Sequence, residues 1–381
     1  MARFAYTALM PQMVHAGWFT GEQVAYLGAA NLLGYLVGAV SAAWMADRFG
    51  AVRVLIACWL GVALSFAGCS VAQPMPVFFA WRVVSGVAGA TLMVLGPSLA
   101  MAATPPQRRA TLGVLMFCGV GCGALLSASI IPPLVQWSLT CAWLVITLLC
   151  LLALWWGARS ALRIQPPAPV VVHPHPHTHT GTGTALPAAP LWTAGVVMLL
   201  LAYATDGAGF VPHTVFWVDY LDRELHKGAA YAATQWGFFG IGAIAGPLTA
   251  AFCAHRLGWW RTTSGAYLLK SLAIGLPLVW ASFAGHALSV FLVGALSPGM
   301  AAITSGYLMQ LVGPQQHKKM WGYATAGFAL SQAISGYAMA WMYAHTGVYQ
   351  PLFGIGCALL ALGCLLVFAS RWAPTRAPAA A

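Results

Sequence analysis

The chain has 381 residues, of which 60% are hydrophobic and only 6% are charged. An ordinary soluble domain has about 25% charged residues, so this composition excludes a soluble globular protein. The formal net charge of +11 would favour a nucleic-acid partner in a soluble protein. Here most of the positive charges lie in particular loops between apolar segments, which excludes that interpretation.

Apolar runs recur along the whole chain, and most reach the roughly 20 residues that a helix needs to cross the hydrocarbon layer of a membrane. The sequence therefore predicts an all-α polytopic membrane protein with twelve spans. In chain order these are 1–15, 22–46, 52–72, 75–102, 109–133, 139–159, 190–217, 230–254, 261–284, 287–312, 318–345 and 350–371. The first is too short to cross the layer, since 15 residues of helix reach about 22 Å, so we expect helix 1 to be truncated as given.

One long polar segment interrupts the apolar runs. Residues 160–189 are rich in Pro, Thr and Gly, a composition that cannot bury enough apolar surface to fold alone. We interpret them as a linker between an N-terminal six-helix bundle (1–159) and a C-terminal bundle with a short tail (190–381). Histidines at 173, 175, 177 and 179 invite a metal-binding interpretation. Alternate residues of a polyproline helix do not share a face, so a solvated tether is favoured and no metal site is predicted.

The basic residues are concentrated in alternate loops. Of the 17 Lys and Arg, twelve lie at 48, 53, 108, 109, 159, 163, 256, 261, 318, 319, 371 and 376, and these loops are cytoplasmic by the positive-inside rule. Both termini are then cytoplasmic, which agrees with an even number of spans. The nine cysteines all fall within predicted spans without a CxxC pair, so they predict neither disulfides nor metal ligands.

A stretch of the sequence occurs twice. Ala43–Arg53 and Ala251–Arg261 match without a gap at five positions, which include Arg48 with Arg256 and Gly50 with Gly258. The same offset of 208 residues superposes further glycine pairs, at 34 and 242, 38 and 246, and 86 and 294. The chain is therefore built from two related halves, a known way of building membrane carriers.

The segment that ends helix 2, with Gly38, Asp47, Arg48, Gly50 and Arg53, resembles the loop 2–3 signature of the major facilitator superfamily. The match is partial, because Ala43 replaces the first glycine and Ala51 and Val52 replace two basic residues. Two other parts of the chain agree with this superfamily. Arg82 with Gly86 and Gly89 looks like its helix 4 signature. The segments 2–11 and 29–38 are similar to the start of the YbfB/YjiJ-like branch of bacterial facilitators. The resemblance implies the superfamily fold, with twelve transmembrane helices in two pseudo-symmetric six-helix bundles.

Ionisable side chains within the spans are functional candidates, because a charge at that depth costs several kcal/mol unless it is paired or hydrated. Arg3 and Asp206 precede prolines at equivalent kinks of helices 1 and 7, so they are predicted to face each other near mid-depth. Asp206 is the predicted proton site, and a static ion pair or helix cap is the alternative. Lys270 is expected to snorkel toward the cytoplasm.

Two arginines against one aspartate predict a positively charged cavity. Arg82 is predicted to handle substrate or protons, with a structural bond to carbonyl groups as the alternative. Guanidinium pairs well with carboxylate, so the charge favours an anionic solute. Further cavity candidates are Asn31, Trp217, Gln235, Trp236, Tyr307, Gln310 and Gln332.

The repeated stretch is predicted to form two cytoplasmic gates. Asp47 lies at the carboxyl end of its own helix, where the helix dipole repels it, so it is expected to meet the amino end of helix 11 when the carrier faces outward. His255 occupies the equivalent position of the second copy. The predicted gate residues are Asp47, Arg48, Gly50, Arg53, His255, Arg256, Gly258 and Arg261.

These observations predict a secondary carrier of the bacterial inner membrane that moves a small organic solute by alternating access, coupled to protons. A transport-inactive sensor or scaffold on the same fold is the alternative. No phosphate-binding GxxxxGK[ST] loop or catalytic constellation is present, so we expect neither an enzyme nor a cofactor. We expect a monomer whose partners are the solute, protons and the lipid bilayer, with no nucleic acid.

Overall fold

The computed structural model describes residues 3–163 and 192–372, and within these ranges it contains twelve helices. The first range holds α1 (Phe4–His15), α2 (Gly21–Phe49), α3 (Ala51–Gly68), α4 (Met75–Ala102), α5 (Pro106–Val135) and α6 (Leu139–Leu162). The second holds α7 (Ala194–Glu224), α8 (Ala229–Leu257), α9 (Trp259–Val279), α10 (Phe283–Val312), α11 (Pro314–Thr346) and α12 (Gln350–Ala369). Each predicted span corresponds to one helix. Nine helices of the described ranges are long and apolar enough to cross a membrane.

Helix α7 is longer and less regular than predicted. Its α-helical part, Ala194–Gly209, is followed by two π-helical turns, Pro212–Phe216 and Tyr220–Glu224, on either side of a single α-helical turn. The expected end at 217 is therefore wrong. Proline has no backbone N–H, and a wider turn is one way in which a helix continues past it. The extension carries acidic and basic side chains into the interior of the bundle.

The internal duplication is visible as a repeat in helix packing. Helix α2 packs against α4, and α8 packs against α10, through glycines that bring the backbones into contact. A Cβ atom added at Gly34, Gly38 or Gly86 would lie 2.2, 2.3 or 2.2 Å from the carbonyl oxygens of Val83, Val87 and Asn31 respectively. At the equivalent Gly242, Gly246 and Gly294 the distances are 2.1, 1.8 and 2.2 Å, to the carbonyl oxygens of Phe291, Ala295 and Phe239. Every glycine and every partner is shifted by the same 208 residues.

The most extensive contacts between the two halves are made by two helix pairs. Helix α5 packs against α8, where a Cβ on Gly121 would lie 2.6 Å from the carbonyl oxygen of Gly240. Helix α2 packs against α11, where Gly336 accommodates the side chain of Leu32. Small residues at such crossings let helices approach closely in a membrane. Not every glycine has this role, because Gly322 on α11 has nothing within 4 Å of its Cβ position.

Three connections between consecutive helices are single glycines in a backbone conformation that other residues rarely adopt. Gly50 (φ 87°) joins α2 to α3, Gly258 (φ 81°) joins α8 to α9, and Gly313 (φ 75°) joins α10 to α11. All three lie at one end of the bundle, where the basic loops are; we call it the basic end. The other end, where α1 meets α2 and α7 meets α8, is called the opposite end.

Candidate functional site

A cavity of about 680 Å³ lies between the two halves. Residues near mid-helix line its inner end, and residues from the last turns of α4 and α6 line its mouth, so it opens toward the basic end. Its polar lining includes Arg3, Asn31, Tyr35, Ser85, Ser160, Tyr203, Ser297 and Gln332. Its aromatic lining includes Phe4, Trp59, Phe117, Phe210, Phe239 and Phe328.

Arg3 lies at the inner end of the cavity and bridges the two halves. Its Nη1 donates to Oε1 of Gln332 on α11 at 3.1 Å, and its Nη2 donates to the Thr214 hydroxyl on α7 at 2.9 Å. Its Nε is buried without a hydrogen-bond partner among the described residues. One donor of this guanidinium is therefore still available.

Arg82 lies behind the same end of the cavity and is 1% exposed. Its guanidinium carbon is 4.0 Å from the ring centroid of Tyr6, and its Nε and Nη1 have no hydrogen-bond partner in the described part of the chain. Asn31 donates to the backbone carbonyl of Arg82 at 3.3 Å. Arg3 and Arg82 both line a void of about 10 Å³ beside the cavity, which is room for about one water molecule.

Within residues 3–163 and 192–372, no carboxylate forms an ion pair with either of these two arginines. The ion pairs of the described residues are His15 with Asp222, Arg223 with Asp219, and Lys270 with Asp206. The cation–π contact with Tyr6 offsets part of the cost of burying Arg82, but it leaves the charge in place. The inner end of the cavity is therefore positively charged.

Asp206 and Lys270 form a buried ion pair in the C-terminal half. Lys270 Nζ on α9 is 2.6 Å from Oδ1 of Asp206 on α7, and the two side chains are 0% and 1% exposed. Asp206 is thus paired with Lys270 instead of facing Arg3 across the cavity, as is possible under the ion-pair alternative, and the expected snorkelling of Lys270 is wrong. A carboxylate on the adjacent helix satisfies this ammonium inside the bundle, so it does not need to reach the surface.

An aromatic layer separates this ion pair from the cavity. Phe210 lies between the two charged groups, with its ring centroid 5.0 Å from the Arg3 guanidinium and 4.9 Å from Lys270 Nζ. Its ring is 5.6 Å from that of Phe328, which in turn is 4.8 Å from Tyr203. All three rings line the cavity. Phe210 therefore lies within cation–π distance of both the cavity cation and the lysine of the ion pair.

The opposite end is closed by a network around Asp219, which is 0% exposed. Arg223 donates to both carboxylate oxygens of Asp219 and to the hydroxyl groups of Tyr343 and Tyr349. Tyr349 also donates to Asp219, and its backbone N–H donates to Glu224. These contacts join the end of α7 to α11 and to the start of α12.

Two further contacts at this end join the halves. Thr7 on α1 donates to the backbone carbonyl of Thr214 at 2.7 Å, and His15 lies 3.0 Å from Asp222. Neither of these two contacts was expected from the sequence. The Asp219–Arg223 pair of the network was not predicted either, but a signal for it exists, because an Asp and an Arg four residues apart on a helix are a pattern that predicts an ion pair. The cavity is open at one end only.

The remaining cavity candidates lie elsewhere in this conformation. Gln235 donates to the backbone carbonyl of Phe283 at 3.2 Å, and Trp236 donates to Ser127 at 3.1 Å across the α5–α8 contact. Tyr307 lies 3.0 Å from the Ser370 hydroxyl, and Gln310 is exposed at the basic end. Of the predicted polar candidates, Arg3, Asn31 and Gln332 line the cavity and Arg82 lines the adjoining void. Trp217 is fully buried inside the C-terminal half.

The predicted gate residues lie together at the basic end in two equivalent turns. Asp47, Arg48, Arg53, His255, Arg256 and Arg261 are all exposed, and Gly50 and Gly258 cap the preceding helices. Among the described residues Asp47 has no hydrogen bond or ion pair, so the expected contact with α11 is not formed while this end is open. The gate remains a prediction for the other conformation. The linker histidines lie outside the described residues.

Comparison with known proteins agrees with this architecture. The family profile described as "Uncharacterised MFS-type transporter YbfB" matches residues 1–368. The gallate transporter of Pseudomonas putida is 26% identical over 362 residues, covering 88% of this chain and 76% of the relative. The 3-(3-hydroxy-phenyl)propionate transporter of Escherichia coli strain K12 is 35% identical over 109 residues, covering 28% of this chain and 27% of the relative. The class C tetracycline resistance protein of Escherichia coli is 30% identical over 114 residues, covering 30% of this chain and 28% of the relative.

Duplicated halves, twelve helices in the described ranges around a central cavity, and a profile match over nearly the whole length lead to one assignment. The chain is a multi-pass membrane protein and belongs to the YbfB-type family of major facilitator superfamily transporters.

Proposed function

We propose that this protein is a proton-coupled secondary carrier that moves small aromatic carboxylates across the bacterial inner membrane by alternating access. The observation that carries the proposal is the pair of arginines, Arg3 and Arg82, at the inner end of an aromatic-walled cavity without a neutralising carboxylate. Each guanidinium keeps a buried donor without a partner in the described part of the chain. A buried donor of this kind is costly unless a ligand or water satisfies it.

A carboxylate is the group that these donors fit best. Guanidinium presents its donors in a planar fork that matches the two oxygens of a carboxylate. The aromatic lining supplies faces and edges against which a ring can pack. The volume of about 680 Å³ lies within the range of small-molecule sites, roughly 300–1,000 Å³. Gallate and 3-(3-hydroxyphenyl)propionate, which two relatives carry by name, each combine one ring with one carboxylate.

The direction of opening supports alternating access. With the basic end on the cytoplasmic side, as the distribution of Lys and Arg favours, both termini are cytoplasmic and the cavity faces inward. Opening outward requires separation of the contacts Thr7–Thr214 and His15–Asp222, which join the halves at the opposite end. In that outward-open state the turn between α2 and α3, which carries Asp47, contacts the amino end of α11. The equivalent turn between α8 and α9, which carries His255, closes the basic end in the second half.

Asp206 is the proposed proton-binding group. A proton on its carboxylate removes the partner charge of Lys270, which then lies unpaired behind Phe210. A bound carboxylate at Arg3 supplies negative charge next to the same ring. Proton and anion therefore compensate each other electrostatically when they are carried together. A static Asp206–Lys270 pair is the alternative, in which Asp206→Asn leaves transport unchanged.

Uptake into proteoliposomes tests the proposal, with radiolabelled gallate and 3-(3-hydroxyphenyl)propionate as anionic probes and choline as a cationic probe. We expect saturable uptake of at least one anion, stimulated by an inward proton gradient, and none of choline. Arg82→Gln and Arg3→Gln should each lower uptake at least tenfold, whereas Arg163→Gln, at an exposed position of the basic end, should not. Preference for choline, or full uptake in both cavity variants, contradicts the proposal. Binding without flux indicates a sensor.

A further inference from the structure

The C-terminal half contains a second buried polar cluster that does not line the cavity. His213 lies on the first π-helical turn of α7, His286 lies near the start of α10, and both are 0% exposed. Trp217 lies between them, with its ring 4.5 Å from that of His213 in a stacked arrangement and 5.7 Å from that of His286 edge-on. Two histidines in the interior of a membrane protein are functional candidates by default.

The hydrogen bonds fix the proton on His213. Ser289 donates its single hydroxyl proton to the backbone carbonyl of Ala273 at 2.6 Å, so its oxygen acts as an acceptor toward His213 Nε2 at 2.8 Å. His213 must then carry its proton on Nε2. Its Nδ1 is a lone-pair acceptor that has no partner among the described residues. This nitrogen is a vacant proton-binding position inside the bundle.

His286 has the complementary arrangement. The Tyr231 hydroxyl lies 2.7 Å from His286 Nδ1, and because the imidazole nitrogen is the stronger base, the phenol donates and Nδ1 accepts. The proton of His286 is therefore on Nε2, which also has no partner in the described part of the chain, and neither has Trp217 Nε1. Two donors, on His286 and Trp217, and one acceptor, on His213, therefore lack partners around this indole. A single bridging water molecule is the kind of group that satisfies such a set.

The cluster extends from the opposite end toward the Asp206–Lys270 pair. Tyr231, which is half-buried in the first turn of α8, is its outermost member. Asp206 precedes His213 by seven residues on α7, about 10 Å along the axis, and Lys270 precedes Ala273 by three residues on α9, about 4.5 Å. Electrostatic interactions link His213 to both Lys270 and His286.

The charged and titratable surroundings are few. Lys227, in the connection between α7 and α8, acts electrostatically on His286. Tyr203 and Tyr267 lie within electrostatic range of Asp206. The rings of Phe353 on α12 and of Trp217 pack against His213 and carry no charge. Tyr220 packs against Trp217 with its ring centroid at 6.0 Å, and the carboxylates of Asp219, Asp222 and Glu224 lie at the same end of the bundle.

We propose that Tyr231, His286 and His213 form a proton route from the opposite end to Asp206, separate from the path of the solute. The proposal rests on the proposed function, since it supplies the proton that Asp206 binds. His286 passes its Nε2 proton to the bridging water as the Tyr231 proton moves to Nδ1, and the phenol is reprotonated from the outside. The water passes a proton to Nδ1 of His213.

The last transfer carries the proton through water from His213 to the Asp206 carboxylate. Each transfer breaks one N–H or O–H bond and forms another. His213 gains and then releases a proton on Nδ1 and returns to its Nε2–H form, so only Asp206 has gained a proton. His286 ends neutral with its proton on Nδ1, and exchange of this proton through water returns it to the Nε2–H form before the next cycle. The aromatic layer of Tyr203, Phe210 and Phe328 keeps that proton from the cavity until the carrier changes conformation. The proton thus enters on one side of the layer and the solute binds on the other.

The first test needs no substrate. Protein with ¹⁵N-labelled histidine in lipid bilayers reports the protonated nitrogen of each ring by solid-state NMR, with assignment from His213→Gln and His286→Gln. We expect both rings as the Nε2–H form and a water contact at His213 Nδ1. A proton on Nδ1 of His213 at neutral pH overturns the proposal, because the vacant position would not exist.

The second test compares two modes of gallate transport in proteoliposomes. Exchange of gallate at equal pH needs no net proton movement, whereas accumulation against a gradient does. His213→Gln and His286→Gln should keep exchange and lose accumulation at least tenfold. His345→Gln makes the same change at an exposed position of α11 and should lose neither. Retained exchange shows that a variant is folded, and the two variants lie on different helices.

The outcomes separate the two proposals. If the wild type accumulates gallate under a proton gradient and both histidine variants do so equally well, the route is refuted while the carrier proposal holds. If the wild type exchanges gallate but a proton gradient has no effect, proton coupling itself is refuted. If the wild type carries neither gallate nor 3-(3-hydroxyphenyl)propionate, the proposed solute is wrong, and the NMR result alone decides whether the proton-binding position exists.

Discussion

The substitution Gly246→Ala tests the repeated packing of α2 with α4 and α8 with α10. The added Cβ would lie 1.8 Å from the Ala295 carbonyl oxygen, whereas real Cβ atoms essentially never lie within 3.0 Å of another atom. Helices α8 and α10 must therefore separate by at least about 1.2 Å at this point, because the obstacle is backbone and cannot rotate away. Overpacking of this kind costs about 1–3 kcal/mol, and we expect the upper end of that range.

The assay is reversible unfolding in mixed detergent and SDS micelles, followed by tryptophan fluorescence. Gly322→Ala is the matched control, because it makes the same change in a helix where nothing lies within 4 Å of the new atom. Alanine is the better helix former, so this control should gain about 0.5–1 kcal/mol. Gly38→Ala, the equivalent position of the N-terminal half, should resemble Gly246→Ala. Wild-type stability of Gly246→Ala would refute the packing argument.

Three further predictions concern buried charge and backbone strain. Lys270→Met leaves the Asp206 carboxylate buried without its partner and should cost about 3–5 kcal/mol, whereas the double variant with Asp206→Asn should lie within about 1 kcal/mol of the wild type; equal losses would contradict a direct pair. Burial raises the pKa of the Tyr349 phenol well above its ordinary value, and the Asp219 carboxylate raises it further. The phenol stays protonated, so Tyr349→Phe should cost about 1.5–3 kcal/mol equally at about pH 6 and about pH 9; a loss confined to the lower pH would show that the phenol ionises. Gly50→Ala should cost about 1–3 kcal/mol by thermal unfolding although nothing crowds the site, since φ is 87° there; an unchanged midpoint would show that the turn relaxes freely.

The helices and the duplication were predictable because each rests on a signal local to the sequence. An apolar run long enough to cross a membrane predicts a helix whatever its neighbours are, and a fixed offset between glycines survives in the backbone that they shape. The offset of 208 residues extends to the carbonyl groups that the glycines contact. That agreement follows from geometry, because equivalent glycines permit equivalent close crossings.

The pairing of charged groups was not predictable. Lys270 and Asp206 are 64 residues apart, and the polar and apolar residues of α9 are spread around the helix, so its sequence does not show which face points inward. The position of Arg3 could be estimated from its distance to Pro11, but its partners Thr214 and Gln332 depend on how the two halves dock. Local spacing fixes depth in the membrane, whereas contacts across helices require the assembled bundle.

The bridge from Arg3 to Gln332 and Thr214 has a thermodynamic consequence. It holds a group of the N-terminal half on two helices of the C-terminal half, so a ligand that draws the guanidinium away also weakens the joint between the halves. Binding energies linked through one group are reciprocal: the factor by which an anion at Arg3 changes the affinity for a proton equals the factor by which the proton changes the affinity for the anion. The affinity for the anion measured at different proton concentrations, or the affinity for the proton measured at different anion concentrations, therefore gives the same coupling free energy between the two sites.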